Sequence, residues 1–407
     1  MATAGPHRFN AVLEGRSDAD RAGGGPLLTV PNTIATQRTD PGSGRLPSLD
    51  GLRALSISLV VVGHAIATMP RMPFWLLRVI AIFGNAGLGV SFFFVISGYL
   101  ITHLLLKELS VSGTVSFHNF YVRRVTRIFP AFYCYIAFVS LAAMFRWIKL
   151  SAVDVLLAAT FTWNYLPFGN GSWWLGQSWS LCIEEQFYLL WPIALVFLGP
   201  KRATRLALLI ILLEPPIRVA SYILWPSYRS RIPVMLHTRA DVLMFGCLPA
   251  LLQDNVRVRE VLDRVTRPAY IAAITVFLFI IEPILSDRLR GGYVLSVGLT
   301  VEAASIALIV FALVRPSKSV IWSFFNSRPM NWLGKRSYGL YLWQQLFLTR
   351  KNATIAGLFP INIIAAVIAS AASFRFVEQP AMRERARFLR PVRPAPATAS
   401  GNQVLRV

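Results

Sequence analysis

Residues 87–106 begin Gly87-Leu88-Gly89-Val90-Ser91-Phe92-Phe93-Phe94-Val95-Ile96-Ser97-Gly98-Tyr99-Leu100-Ile101 and run on to Leu106 without an Asp, Glu, Lys or Arg. As an α-helix this stretch rises about 30 Å, the thickness of the hydrocarbon core of a bilayer. A run of this length without a charged face is a membrane span. Glycines at 87, 89 and 98 let a neighbouring helix approach closely.

The rest of the chain has the same character. Of its 407 residues 55% are hydrophobic and only 15% charged, with a mean hydropathy of +0.53. A soluble domain would be roughly a quarter charged. The net charge of +22 comes from Lys and Arg gathered in short segments between apolar runs, as in cytoplasmic loops. No basic helix with interleaved aromatics accompanies it, so nucleic acid is not the expected partner; a lipid bilayer is. Cys134, Cys182 and Cys247 lie far apart in apolar surroundings, with neither disulfide nor CxxC metal spacing, and read as packing residues. No metal is expected.

Residues 1–45 are rich in Gly, Pro, Ser, Thr and Arg and hold no apolar core, so they are expected to be a disordered cytoplasmic tail rather than a signal peptide. Residues 383–407 are expected to form a basic cytoplasmic tail, leaving 46–382 as the membrane domain. Candidate spans fall near 52–70, 87–106, 129–147, 151–166, 181–198, 204–224, 233–252, 268–286, 293–314, 333–349 and 359–377. Basic connections at 107–127, 201–205, 257–267 and 315–336 and the basic C-terminal tail are all cytoplasmic only if even numbers of crossings separate them. The interval holding 151–166 breaks that rule. This segment is short and carries Asp154 and Asn164, so it is assigned to the outer interface or a re-entrant piece. The expectation is an all-α bundle of about ten crossings with both termini inside. Arg71, Arg78, Arg146, Arg229, Arg231, Arg288 and Arg290 on the outer side depart from the charge rule.

Within the first span, Arg53 and His64 stand eleven positions apart, almost three whole turns, so they share a helix face about 16 Å apart along the axis. A neutral imidazole at mid-membrane can take a proton from a hydroxyl, and an arginine at the membrane edge can hold an anion. A bundle histidine and a snorkelling arginine fit the same spacing. Arg123, Arg124 and Arg127 share i, i+3 and i+4 spacings on the next helix and suit a polyanion such as the phosphates of coenzyme A; simple positive-inside anchoring suits them too. Glu184 and Glu185, placed at the outer end of a crossing, are costly there without partners. Only one of the two can face the bundle interior, where it could orient His64; pairing with outer arginines is the other reading. Arg239 and Asp241 read as a structural ion pair, His237 as an outer-surface histidine, Glu214-Pro215-Pro216 as a kink, and Glu302 as a mid-helix carboxylate without an assigned purpose.

Taken in order, these motifs resemble the acyltransferase-3 family of integral-membrane acyltransferases over about residues 46–382. The resemblance rests on Leu49-Asp50-Gly51-Leu52-Arg53 with His64, the Phe92–Tyr99 run, and Arg123-Arg124 with Arg127-Ile128 and Pro130. It continues in Trp179-Ser180-Leu181 with Glu184-Glu185-Gln186-Phe187-Tyr188, in Ser337-Tyr338-Gly339-Leu340-Tyr341-Leu342-Trp343, and in Glu378 with Pro380. It implies ten core helices and an acyl-CoA donor, acetyl-CoA above all, arriving from the cytoplasm. It further implies His64 and Arg53 as the catalytic pair, Glu184 as the fixed carboxylate, and the basic run around Arg124 and Arg127 as the donor-binding element. The acceptor it implies is a hydroxyl of a cell-envelope or secreted glycan, glycolipid or glycosylated small molecule, and the location a bacterial inner membrane. Thr126 stands where many members carry a second arginine, and Gln344 where many carry a histidine, so that late histidine is taken to be dispensable here. No soluble esterase-like domain is expected after residue 382. The competing expectation is a transporter with His64, Glu184 and Glu302 on a substrate or proton path.

Overall fold

The computed structural model describes residues 46, 48–166 and 171–390. The expected tail at 1–45 lies outside them, as does the part of the C-terminal tail beyond 390. Every regular element among the described residues is helical. In chain order the α-helices are α1 (Leu49–Ala65), α2 (Phe74–Phe83), α3 (Ala86–Ser112), α4 (Phe117–Met144), α5 (Ala152–Ala159), α6 (Ser178–Leu224) and α7 (Ala240–Leu251). They continue with α8 (Val256–Val265), α9 (Pro268–Val276), α10 (Glu282–Tyr293), α11 (Leu299–Val314), α12 (Val320–Phe325), α13 (Arg328–Phe347), α14 (Ile361–Ser373) and α15 (Gln379–Phe388).

Six helical stretches among the described residues are long and apolar enough to cross a membrane: Leu49–Thr68, Trp75–Ser112, Phe117–Met144, Trp173–Leu224, Pro268–Val314 and Ile361–Phe388. One, Trp75–Ser112, is interrupted at Gly84 and Asn85 between α2 and α3, and two more are broken within a helix. Gly199 takes φ 71° and ψ 164° ahead of Pro200, and Arg290 leaves the helical region in the other. Glycine adopts such a positive φ without a Cβ clash, so the break in α6 falls there. Pro215 and Pro216, the expected kink, keep helical backbone. Along α6, Leu190, Phe197, Leu209 and Leu212 are more than half exposed, an apolar surface that only lipid can cover. The chain is a multi-pass membrane protein.

The ten expected spans fall on helices, but two of them, 233–252 and 333–349, lie outside these six stretches. Within 233–252 only α7 is α-helical, and its 12 residues rise about 18 Å, short of the hydrocarbon core. The chain before it coils as 3₁₀ turns at Pro226–Val234 and Leu236–Thr238. Helix α7 is packed among α3, α6 and α11. Its approach to α3 is so close that a Cβ on Gly98 would strike the backbone of Leu243, and one on Gly246 that of Val95. Segment 151–166 holds the eight-residue α5 and a 3₁₀ turn, too short to cross. Residues 383–388, expected in the basic tail, extend α15, and Arg390 N–H donates to Asn119 Oδ1 at 2.8 Å beside the start of α4.

Candidate active site

Helix α1 packs between α3 and α13, and this trio carries most of the site. Near the N-terminal end of α1 a cavity of about 690 Å³ is lined by Arg53, Arg124, Arg127 and Glu184, with Ser97, Tyr188, Ser337, Tyr338 and Tyr341 supplying hydroxyls. Phe93 and Phe94, from the uncharged run on α3, give it an apolar wall. The guanidinium of Arg124 lies 5.4 Å from the Tyr188 ring and 5.8 Å from Phe120, and its Nε has no hydrogen-bond partner among the described residues. Arg53 leans toward Asp50 at 3.6 Å. Ser97 Oγ donates to Glu184 Oε1 at 2.9 Å and in turn accepts from Tyr188 O–H at 3.0 Å.

Glu184 therefore stands with the arginines, about two turns into α6, rather than with outer arginines. Glu185 interacts with Arg124 from the same helix. Arg123 does not join them. Its neighbour Arg124 faces the cavity, and a helix turns about 100° per residue, so Arg123 points to α3 and binds Glu108 at 3.2 Å.

His64 is not in the lining of this cavity; it lies farther along α1, half-buried. The orienting role considered for Glu184 is filled by Gln344 on α13. Gln344 Nε2 faces two acceptors, Gln345 Oε1 at 3.3 Å and the Tyr341 carbonyl at 3.5 Å. Its Oε1 is thereby turned to the imidazole, and His64 Nδ1–H donates to it at 2.8 Å. That tautomer leaves the Nε2 lone pair free to accept a proton. The Trp173 ring stands edge-on to the imidazole at 5.7 Å. Trp173 is itself fixed by Gln345, donating Nε1–H to its carbonyl at 3.1 Å and accepting from its Nε2 at 2.6 Å.

Residues 46–374 match the model of an acyltransferase domain, the one that defines the acyltransferase-3 family. The chain belongs to the acyltransferase-3 family. It is 29% identical to the peptidoglycan O-acetyltransferase OatA of Listeria monocytogenes, over 82% of this chain and 55% of the relative. It is 27% identical to the putative peptidoglycan O-acetyltransferase YrhL of Bacillus subtilis, over 82% and 54%, and 28% identical to the O-acetyltransferase OatA of Staphylococcus aureus, over 82% and 57%. The chain thus spans little more than half the length of these relatives. No solved structure matches it.

For this acyltransferase-3 chain, the cavity also gathers residues that sequence reasoning had left without a place. Glu378 of the final Glu-x-Pro motif interacts with Arg127, and Tyr338 O–H donates to the Ile128 carbonyl at 2.9 Å. Tyr341 O–H and Ser180 Oγ meet at 2.6 Å. The motifs are far apart in sequence but converge on one wall. Gln344 was visible only as a departure from the family pattern; its contact with His64 depends on how α1 and α13 pack, which spacing within either helix does not reveal.

The other expected pair is rearranged. Asp241 pairs with Arg218 of α6, both fully buried, and not with Arg239. Arg239 instead donates to Ser91 Oγ at 2.6 Å, and Glu302 interacts with both Arg239 and Ser91. His237 stacks on Tyr165, their rings 5.8 Å apart.

Proposed function

We propose that the protein is a membrane O-acyltransferase that moves an acetyl group from cytoplasmic acetyl-CoA to a hydroxyl of a cell-envelope glycan. The observation that carries this reading is the meeting of Arg53, Arg124 and Arg127 in one cavity, on the helix system that also holds His64 with its Nδ1 tied down. Three guanidinium groups against Glu184, with one Nε left unsatisfied, favour a polyanion, and the phosphates of coenzyme A are one. The basic connections, all assigned to the inner side, put the N-terminal end of α1 and both termini in the cytoplasm, with the cavity open to donor from there. This arrangement fits a bacterial inner membrane.

From the cavity the thioester arm of the donor extends along α1 to His64. The acceptor hydroxyl gives its proton to His64 Nε2 as its oxygen attacks the thioester carbonyl. The C–S bond breaks, the acyl group stays on the acceptor oxygen, and the imidazolium returns the proton to the departing thiolate. Gln344 holds the ring in the tautomer that can begin this sequence. The relatives named for peptidoglycan O-acetylation support a glycan acceptor.

The test is release of free coenzyme A thiol from acetyl-CoA by the purified protein in lipid, with and without glycan acceptors. His64→Ala should lower acceptor-dependent release by about 10²–10⁴-fold at an unchanged melting temperature. A wild-type rate in that variant would remove His64 from the chemistry.

A further inference from the structure

A second concavity lies at the opposite end of α1. It has a volume of about 1040 Å³, and its lining includes Trp147, Trp173, Trp174, Lys149, Lys351 and Asp154. Its walls come from the end of α4, the start of α5, the 3₁₀ turn Trp173–Leu175 and the loop after α13. That loop is fastened to α1: Arg350 Nε–H donates to the carbonyl of Ala67, just past the helix end. The arginine cavity lies near the start of α1 and this one at its finish, with His64 between them. Trp173 joins the two halves, because the same side chain that lines the concavity abuts the imidazole.

The chemistry of the lining is selective. Trp147 is 76% exposed and offers its indole to whatever enters. Asp154 is buried and fully engaged, accepting at Oδ1 from Trp163 Nε1–H at 3.0 Å and Ser172 N–H at 3.1 Å, and at Oδ2 from Ser151 Oγ at 3.0 Å. It shapes the floor, with both carboxylate oxygens already bonded. The charges left to project among the lining residues are those of Lys149 and Lys351, both exposed. Pyranose rings carry C–H faces that pack on indoles while their hydroxyls stay in water, and ammonium groups select for carboxylates.

We infer that this concavity is the acceptor subsite and that it takes an acidic oligosaccharide, with sugar rings on Trp147 and Trp173 and a carboxylate at Lys149 and Lys351. The inference deepens the transferase reading and rests on it for the word acceptor, while the binding itself is independent of any donor. The experiment is a calorimetric titration of the full-length protein in lipid nanodiscs, without acyl donor, using an N-acetylhexosamine oligosaccharide with carboxylate-bearing sugars and its neutral counterpart. The acidic oligomer should bind saturably and about fivefold tighter than the neutral one, a preference that Lys149→Ala with Lys351→Ala erases. Trp147→Ala should weaken both by about tenfold. Absence of saturable binding to folded protein, or wild-type affinities in these variants, overturns the subsite. Neither result touches thiol release or its loss in His64→Ala, so the two readings fail separately.

Discussion

Two charged regions inside the same bundle are built on opposite principles. Around Arg218 each guanidinium nitrogen has an acceptor. Its Nε–H donates to the Thr238 carbonyl at 2.8 Å, Nη1–H to Thr300 Oγ1 at 3.0 Å, and Nη2–H to Asp241, whose other oxygen accepts from Val242 N–H at 2.9 Å. The arginine cavity is left open, with Arg124 Nε unpaired among the described residues and much of its remaining support coming from aromatic rings. A buried charge with all its partners holds helices in place. A cluster of like charges with too few partners is held by the fold in readiness for something else.

Matched substitutions break this comparison if it is wrong. Arg218→Met strands Asp241 in the core and should cost about 3–5 kcal/mol of stability, read as a large fall in melting temperature in detergent. Arg218→Met with Asp241→Leu should recover much of that loss, because the stranded charge is then gone. Arg124→Met breaks no close ion pair among the described residues, though Glu185 loses the arginine it interacts with. The substitution should change stability by no more than about 1 kcal/mol, the worth of its cation–π contacts, while raising the KM for acetyl-CoA at least about tenfold. A cavity variant that melts like Arg218→Met, with unaltered donor KM in the surviving fraction, would make both regions structural.

The same contrast separates what the sequence shows from what it conceals. An uncharged run such as 87–106 declares a span by itself, and Arg53 with His64 declares a shared face, because both facts belong to a single helix. Partnerships between helices do not obey any local period. Arg239 and Asp241 are neighbours in the chain, but Asp241 takes its partner 23 residues away on α6. Glu184 shares a helix turn with Glu185, and only its position in the packed bundle sets it beside Ser97 of α3. The break in α6 falls at Gly199, at the boundary expected between spans 181–198 and 204–224, while Pro215 and Pro216, where a kink was expected, keep helical backbone.

Gln344 sharpens the comparison within the proposed chemistry, since it is a neutral group doing for His64 what carboxylates do elsewhere. Gln344→Leu keeps the volume, removes the acceptor for Nδ1–H and lets the ring populate the other tautomer. The expected loss in kcat is about tenfold, the worth of one orienting hydrogen bond, with KM for acetyl-CoA unchanged because the arginine cavity is untouched. Gln344→Glu restores an acceptor at that position and should recover part of the rate. Equal damage from Leu and Glu would make Gln344 a packing residue.

The smallest effect belongs to the arginine that sequence spacing placed with the donor site. Arg123 is half-exposed, and its carboxylate partner Glu108 also accepts from Ser116 N–H at 2.8 Å, so the pair ties the end of α3 to the start of α4. An exposed ion pair of this kind is worth about 0–1 kcal/mol. Arg123→Ala should leave donor KM within about twofold of wild type, because that energy range is spent on a surface contact and none of it on the cavity. Should Arg123→Ala match Arg124→Met in donor KM, the division of one basic run into an inward pair and an outward clamp would be wrong, and coenzyme A would have to contact the helix on both faces.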